Sequence, residues 1–254
     1  MVTADFNADT YPDLAIVNQT SGNVTILKGN GDGTFTEFKG SPLTVGKTPV
    51  AIAQGTLTGS TGPGLAIVNQ ADDTLSVFLG AGDGSFKKAS YSPLATDTTP
   101  SGVVIGSFLE GSNGIAVTNT AVGTVSVYLD LGSGSLTQVL EPQVGSDPTA
   151  ILAGPFTNST FPDLVITNNL PGTSNAGQVT LLVSPTSLVS NPAIGQQPYP
   201  GSEYIDLGIK VKATPYLHEN NEVTLQMEYE IKALTGSNVN GIPVISNQSL
   251  SQML

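Results

Sequence analysis

Leu14-Ala-Ile-Val-Asn18 returns unchanged as Leu65-Ala-Ile-Val-Asn69, and with small changes as Ile115-Ala-Val-Thr-Asn119 and Leu164-Val-Ile-Thr-Asn168. The steps are 51, 50 and 49 residues. Self-similarity at a near-constant period marks a chain built from stacked supersecondary units. Each block is a short β-branched and aliphatic run, which reads as a strand. A second strand follows each: Val24-Thr-Ile-Leu27, Leu75-Ser-Val-Phe78, Val125-Ser-Val-Tyr128 and Val179-Thr-Leu-Leu182. Every unit therefore carries a hairpin.

Working outward, the first two hairpins run into Gly29-Asn-Gly-Asp-Gly33 and Gly80-Ala-Gly-Asp-Gly84, shortened to Gly132-Ser-Gly134 in the third unit. Asp-Gly supplies the positive φ that a tight turn needs. No helix pattern follows these glycines, so they read as turns and not as a phosphate cradle. A proline-opened strand precedes each later unit, at Pro49-Val-Ala-Ile-Ala53, Pro100 to Ile105 and Pro148-Thr-Ala-Ile-Leu152. The expectation is an all-β chain with about four four-stranded units. Such units cover their sheet faces only by stacking on one another, and radial stacking gives a β-propeller, here partial or open. A β-sandwich is the alternative, but it does not need a fixed period with matched turns.

The composition agrees with frequent turns: 29 glycines and 17 prolines in 254 residues, with only 11% charged residues and 39% hydrophobic ones. Eight basic against twenty acidic residues give a net charge of −12, which repels nucleic-acid backbones and anionic lipid surfaces. There is no cysteine, hence no disulfide framework and no thiolate metal site. The start Met1-Val2-Thr3-Ala4-Asp5 has neither a basic nor an apolar leader region, and no run of about 18 apolar residues occurs, so the chain itself shows no signal peptide and no spanning helix.

One constellation points to chemistry. Asp5, Asn7, Asp9, the Tyr11 carbonyl and Asp13 fall at alternating positions of a short inter-strand loop, the spacing with which calcium loops turn oxygen ligands toward one hard cation. Three carboxylates this close repel one another unless a cation joins them. The matching places hold Thr56, Thr58, Ser60 and Gly64 in the second unit, and only Asp163, beside Thr157 and Ser159, in the fourth; these are expected to be metal-free turns. Asp5-Phe-Asn-Ala-Asp-Thr-Tyr-Pro-Asp-Leu-Ala-Ile-Val17, with Leu27-Lys-Gly-Asn-Gly-Asp-Gly-Thr-Phe35, resembles the FG-GAP/VCBS repeat of integrin-type propellers, over roughly residues 1 to 184. The resemblance implies calcium at the same five positions. Thr10 departs from it, standing where that family usually has glycine, and no glutamate closes the loop.

After Val183 the repeat stops. Residues 185–202 contain Pro185, Pro192, Pro198 and Pro200 and read as an extended linker. In residues 203–254, Ile205, Leu207, Ile209, Val211 and Ala213 alternate with polar residues, as do Val223, Leu225, Met227, Tyr229 and Ile231, which predicts an amphipathic β-hairpin. Tyr204 to Pro215, Glu222-Val-Thr-Leu225 and Asn240-Gly-Ile-Pro-Val-Ile-Ser246 resemble part of the secretin domain of outer-membrane secretion and pilus channels. That resemblance implies outer-membrane association and a homo-oligomer in an intact parent, of which this chain reads as a fragment. His218 is the single histidine and reads as a loop residue with no triad around it.

The functional expectation is a non-catalytic, extracytoplasmic binding or scaffolding module with a protein or glycan ligand and no nucleic-acid partner. The alternative is the accessory portion of an outer-membrane secretin. Calcium binding in the Asp5 to Asp13 loop is expected to raise the melting temperature, and Asp9→Ala to abolish the rise; calorimetry with calcium and with chelator checks both.

Overall fold

A computed structural model describes residues 1–109, 112–158, 160–169, 177–182, 208–217, 223–239 and 242–253. The Pro-rich linker 185–202 and His218 lie outside them, as does Ser159. The described chain is all-β: four antiparallel sheets in sequence order, with one three-residue 3-10 turn at Gln70–Asp72.

The first sheet contains β1 (Val2–Ala4), β2 (Asp13–Asn18), β3 (Asn23–Gly29) and β4 (Phe35–Glu37) in spatial order, with β5 (Leu43–Thr44) also on β3. The second repeats it with β6 (Pro49–Gly55), β7 (Gly62–Asn69), β8 (Thr74–Gly80), β9 (Phe86–Lys88) and β10 (Leu94–Ala95) on β8. The third is β11 (Pro100–Leu109), β12 (Ser112–Asn119), β13 (Thr124–Asp130) and β14 (Leu136–Leu140). The fourth runs β15 (Pro148–Gly154), β16 (Asp163–Asn169), β17 (Gly177–Leu182), β18 (Gly208–Leu217), β19 (Val223–Val239) and β20 (Ile242–Met253).

Two strand counts differ from the expected four. In the first two sheets a fifth, two-residue strand joins because the fourth is only three residues long and leaves the lower half of its neighbour's edge open. Ser41 and Ser92 bridge the gap, their Oγ atoms accepting the amides of Ile26 at 3.0 Å and Val77 at 2.9 Å. Each serine is followed by a cis proline, Pro42 or Pro93. In the fourth sheet, where β20 adds a further strand and Pro215 is paired within β18 and not in a connecting loop, β18 and β19 form a hairpin with Gly208 opposite Lys232 and Leu217 opposite Val223. It continues the sheet by pairing β18 to β17, from Gly177 opposite Ala213 to Leu181 opposite Ile209, which covers an otherwise open strand edge.

Successive sheets pack face to face. Ala15, Val24 and Ile26 meet Leu65, Ile67 and Phe78; Ala66, Val68, Leu75 and Val77 meet Ile115, Val117 and Tyr128; Ala116, Val125, Val127 and Leu129 meet Leu164 and Ile166. Alternate residues of one strand point to opposite faces. A strand covered on both sides therefore carries apolar residues on both faces, which is why Leu65-Ala-Ile-Val68 is uninterrupted and fully buried. Burying each such Leu or Ile contributes about 1.5–3 kcal/mol. The Tyr128 hydroxyl donates to the Ala95 carbonyl at 2.6 Å, and burial pushes its phenol up to about 12.

The second, third and fourth sheets start from the same junction. Thr48, Thr99 and Asp147 have φ of 51°, 59° and 51° and precede the opening prolines Pro49, Pro100 and Pro148. A non-glycine residue in that region costs about 1–3 kcal/mol. Each carbonyl is repaid by an amide from the end of the following hairpin strand: Gln70 N–H at 3.0 Å, Thr120 N–H at 2.9 Å and Asn169 N–H at 2.9 Å.

Ile67 is fully buried between two sheets, whereas Ile16, its repeat equivalent on the first sheet, is half-buried. Ile67→Ala is expected to cost about 2–5 kcal/mol, and Ile16→Ala less than half as much. Urea unfolding of the two variants checks the difference.

Candidate functional site

An antiparallel meander puts its first and third connections at one end of the sheet and its second at the other. The loop between β1 and β2, holding the predicted calcium residues, thus shares an end with the Gly-rich turn between β3 and β4.

The loop is laced by its own hydrogen bonds. Asp5 Oδ1 accepts the amides of Asn7 at 3.3 Å and Asp9 at 3.2 Å, and Asp5 Oδ2 accepts that of Thr10 at 2.7 Å. Asn7 Oδ1 accepts the Asp9 amide at 3.2 Å, and the Asn7 side-chain amide donates to Asp9 Oδ2 at 2.9 Å. Asp9 Oδ1 accepts the Tyr11 amide at 3.0 Å. Thr10 adopts φ 74°, the left-handed conformation that explains why glycine suits this position, and its bond to Asp5 helps hold it there.

A lysine enters the loop from β3. Lys28 Nζ stands 3.0 Å from Asp9 Oδ2, and its hydrogen bond is the main cause that holds the Asp9 carboxyl below the usual value, followed by bonds from Asn7 and the Tyr11 amide. The equivalent positions on the second and third sheets are Leu79 and Leu129. The cation is supplied where the acids are.

Asp13 does not join the others. It is fully buried, Oδ2 accepting the Phe6 amide at 2.8 Å and Oδ1 the Gly29 amide at 2.9 Å, so it ties the loop to β3. Asp163, at the same repeat position, is equally buried and accepts the Thr157 amide at 2.7 Å and hydroxyl at 2.9 Å. The signal was in the sequence: Asp13 has a counterpart in a unit that lacks the other acids. Among the described residues no three acidic or histidine side chains converge to hold a metal ion. Asp5, Asn7, Asp9 and the Tyr11 carbonyl fit calcium in ligand chemistry, since a carboxylate oxygen that accepts one amide keeps lone-pair capacity. Lys28 competes for the same Asp9 oxygen.

Neighbouring sheets join at this end. Gly84 N–H donates to the Phe6 carbonyl at 2.8 Å, and the Thr58 hydroxyl bonds Asp130. Burial raises the Asp130 carboxyl, but the amides of Gly134 and Gly132 together with Thr58 outweigh it and leave it below its ordinary value. In the turns, Thr34 and Ser85 donate both hydroxyl and amide to Asp32 and Asp83, which lowers both carboxyls. Tyr11 and Phe35 are exposed at this end, at 46% and 44%, and the Tyr11 ring lies so close over Gly31 that a Cβ there would stand 2.4 Å from it.

No protein-family model matches the sequence, and no curated protein matches it. Among solved structures, the chain is similar to the Aleuria aurantia lectin in complex with Fucα1-6GlcNAc, at 12% identity over 92% of this chain and 73% of the lectin, with a TM-score of 0.45. It is similar to a mutant of AofleA from Arthrobotrys oligospora at 11% identity, over 99% of this chain and 73% of that one, also with a TM-score of 0.45. Likeness at this level carries no inference about ligand.

Lys28→Leu, which installs the residue type of the neighbouring sheets, is expected to lower the melting temperature without calcium and to enlarge the calcium-dependent rise; scanning calorimetry of the variant with calcium and chelator checks it. Acid is expected to destabilise the fold through Asp32, Asp83 and Asp130. The unfolded chain protonates these groups first, so the stability they contribute is complete above the ordinary value of about 3.9 and is lost as the pH falls through their lower folded values. Urea midpoints at about pH 6 and about pH 3 check the direction.

Proposed function

We propose that this chain is an open β-propeller acting as a non-catalytic binding module outside the cytoplasm, presenting the loop end of its first sheet to a glycan. The observation that carries the reading is the exposed pair Tyr11 and Phe35 standing on the same loop end as Asp9, Asn30 and Asp32. An aromatic ring offers a flat apolar surface to the carbon-bound face of a sugar, and adjacent amides and carboxylates accept or donate to its hydroxyls. Stacked sheets suit the task because they hold such loops on a rigid frame.

Calcium belongs to the same proposal. Asp5, Asn7, Asp9 and the Tyr11 carbonyl would hold it once Lys28 is displaced, and the ion would stiffen the segment that carries Tyr11. The resemblance to FG-GAP/VCBS repeats favours this reading. The alternative, an accessory portion of an outer-membrane secretin, is favoured by the long pairing of β18 with β19.

A panel of neutral oligosaccharides titrated by calorimetry tests the proposal. Binding by the chain, lost in Tyr11→Ala or Phe35→Ala while the circular dichroism spectrum is unchanged, is the expected result. Binding by neither the chain nor its calcium-loaded form, or binding indifferent to both substitutions, sinks it.

A further inference from the structure

The stack has two end faces, and each repeats a face that is buried elsewhere in the same molecule. On the fourth sheet the uncovered side presents two cross-strand rows, Leu152–Val165–Leu181 and Ala150–Thr167–Val179. Leu152 is 59% exposed and Val179 36%. The corresponding rows of the third sheet are Val104–Ala116–Val127 and Gly102–Thr118–Val125, and these are covered by the rear of the fourth sheet.

That rear surface is built from Leu164 paired with Leu182 and Ile166 paired with Thr180. The rear of the first sheet is built from Leu14 paired with Leu27 and Ile16 paired with Thr25, residue for residue the same set. Leu164 and Ile166 are fully buried, whereas Leu14 and Ile16 are only half-buried. The chain thus exposes both halves of an interface it already makes internally between its third and fourth sheets. The front rows of the fourth sheet carry no charged side chain, and on the rear of the first sheet a charge enters only at the edge, where Glu37 pairs with Leu27, although the chain as a whole has a net charge of −12.

We propose that the occupant of both faces is a second copy of this chain, docked head to tail: the front of the fourth sheet of each copy covers the rear of the first sheet of the other. Such an interface is heterologous, and two of them close on a twofold axis into a ring of eight sheets. Eight is the upper end of the usual propeller range of about 4–8 blades, which a third copy would exceed. The inference rests on the propeller reading above and extends it from one chain to an assembly.

Sedimentation equilibrium of the full chain, from low to high micromolar concentration, tests it. The expected mass is twice 26.0 kDa. Leu152→Lys and Val179→Lys, both at exposed positions, should each give a single copy with the circular dichroism spectrum unchanged. Ile16→Lys alone should also give a single copy, whereas a front-to-front dimer would survive it, and mixing it with Leu152→Lys should restore a two-copy species through the one remaining intact interface. A single-copy mass at every concentration, or a two-copy mass that persists in both Leu152→Lys and Val179→Lys, overturns the proposal. The propeller reading itself fails on a separate result, equal destabilisation by Ile67→Ala and Ile16→Ala when both are measured in the single-copy Leu152→Lys background, where the rear of the first sheet stays uncovered.

Discussion

The apolar coverage of both faces of each inner sheet is the constraint on which the rest depends. A single sheet of short strands has too little core of its own, and its backbone pairing leaves two oily surfaces. Stacking satisfies the second and third sheets, so their central strands carry unbroken buried runs, as in Leu65 to Val68 and Val125 to Leu129. The outer sheets bury alternate residues instead, visible in the burial of β2 and β16. Position along the stack, more than local propensity, decides which side chains are dry.

Apolar faces alone leave the stacking direction free to slip; a polar ladder fixes it. The asparagine that ends each hairpin strand turns its side-chain amide inward. Asn69 donates to Thr74 and Ser76, Asn119 to Thr124 and Ser126, Asn18 to Asn23 and Thr25, and Asn168 to Thr180. Asn69 also accepts the Gly46 amide at 3.0 Å, and Asn168 donates to the Val144 carbonyl at 3.1 Å, so the ladder reaches back to the preceding sheet. A buried amide with its partners misplaced costs more than it gives, which penalises any other register.

The hairpin strands, the turns at Gly31 and Gly82 and the prolines that open the later sheets were legible in the sequence because their signals are local and repeat at one period. The fifth strand of the first two sheets was not, although Ser41-Pro-Leu43 returns as Ser92-Pro-Leu94. Its stabilising contact is a serine hydroxyl reaching an amide fifteen residues away, which no local pattern encodes. The same distance effect governs the acidic loop. Spacing placed Asp5, Asn7 and Asp9 together, but the pairing of Lys28 with Asp9 and the withdrawal of Asp13 into the sheet depend on β2 and β3 lying side by side. A carboxylate pattern read along one segment shows charge to be neutralised, while the group that neutralises it stands on another strand.

The left-handed residue before each opening proline makes the boundaries between sheets chemically alike. Thr48-Pro49 and Thr99-Pro100 are the same dipeptide in the same conformation, so excision of residues 49–99 would rejoin the chain as Thr48-Pro100 with no new junction to accommodate. The first sheet would then meet the third through surfaces drawn from the same pattern. Length in such a chain is open to duplication and loss by whole modules, and a lineage can gain or shed a sheet without redesigning its neighbours.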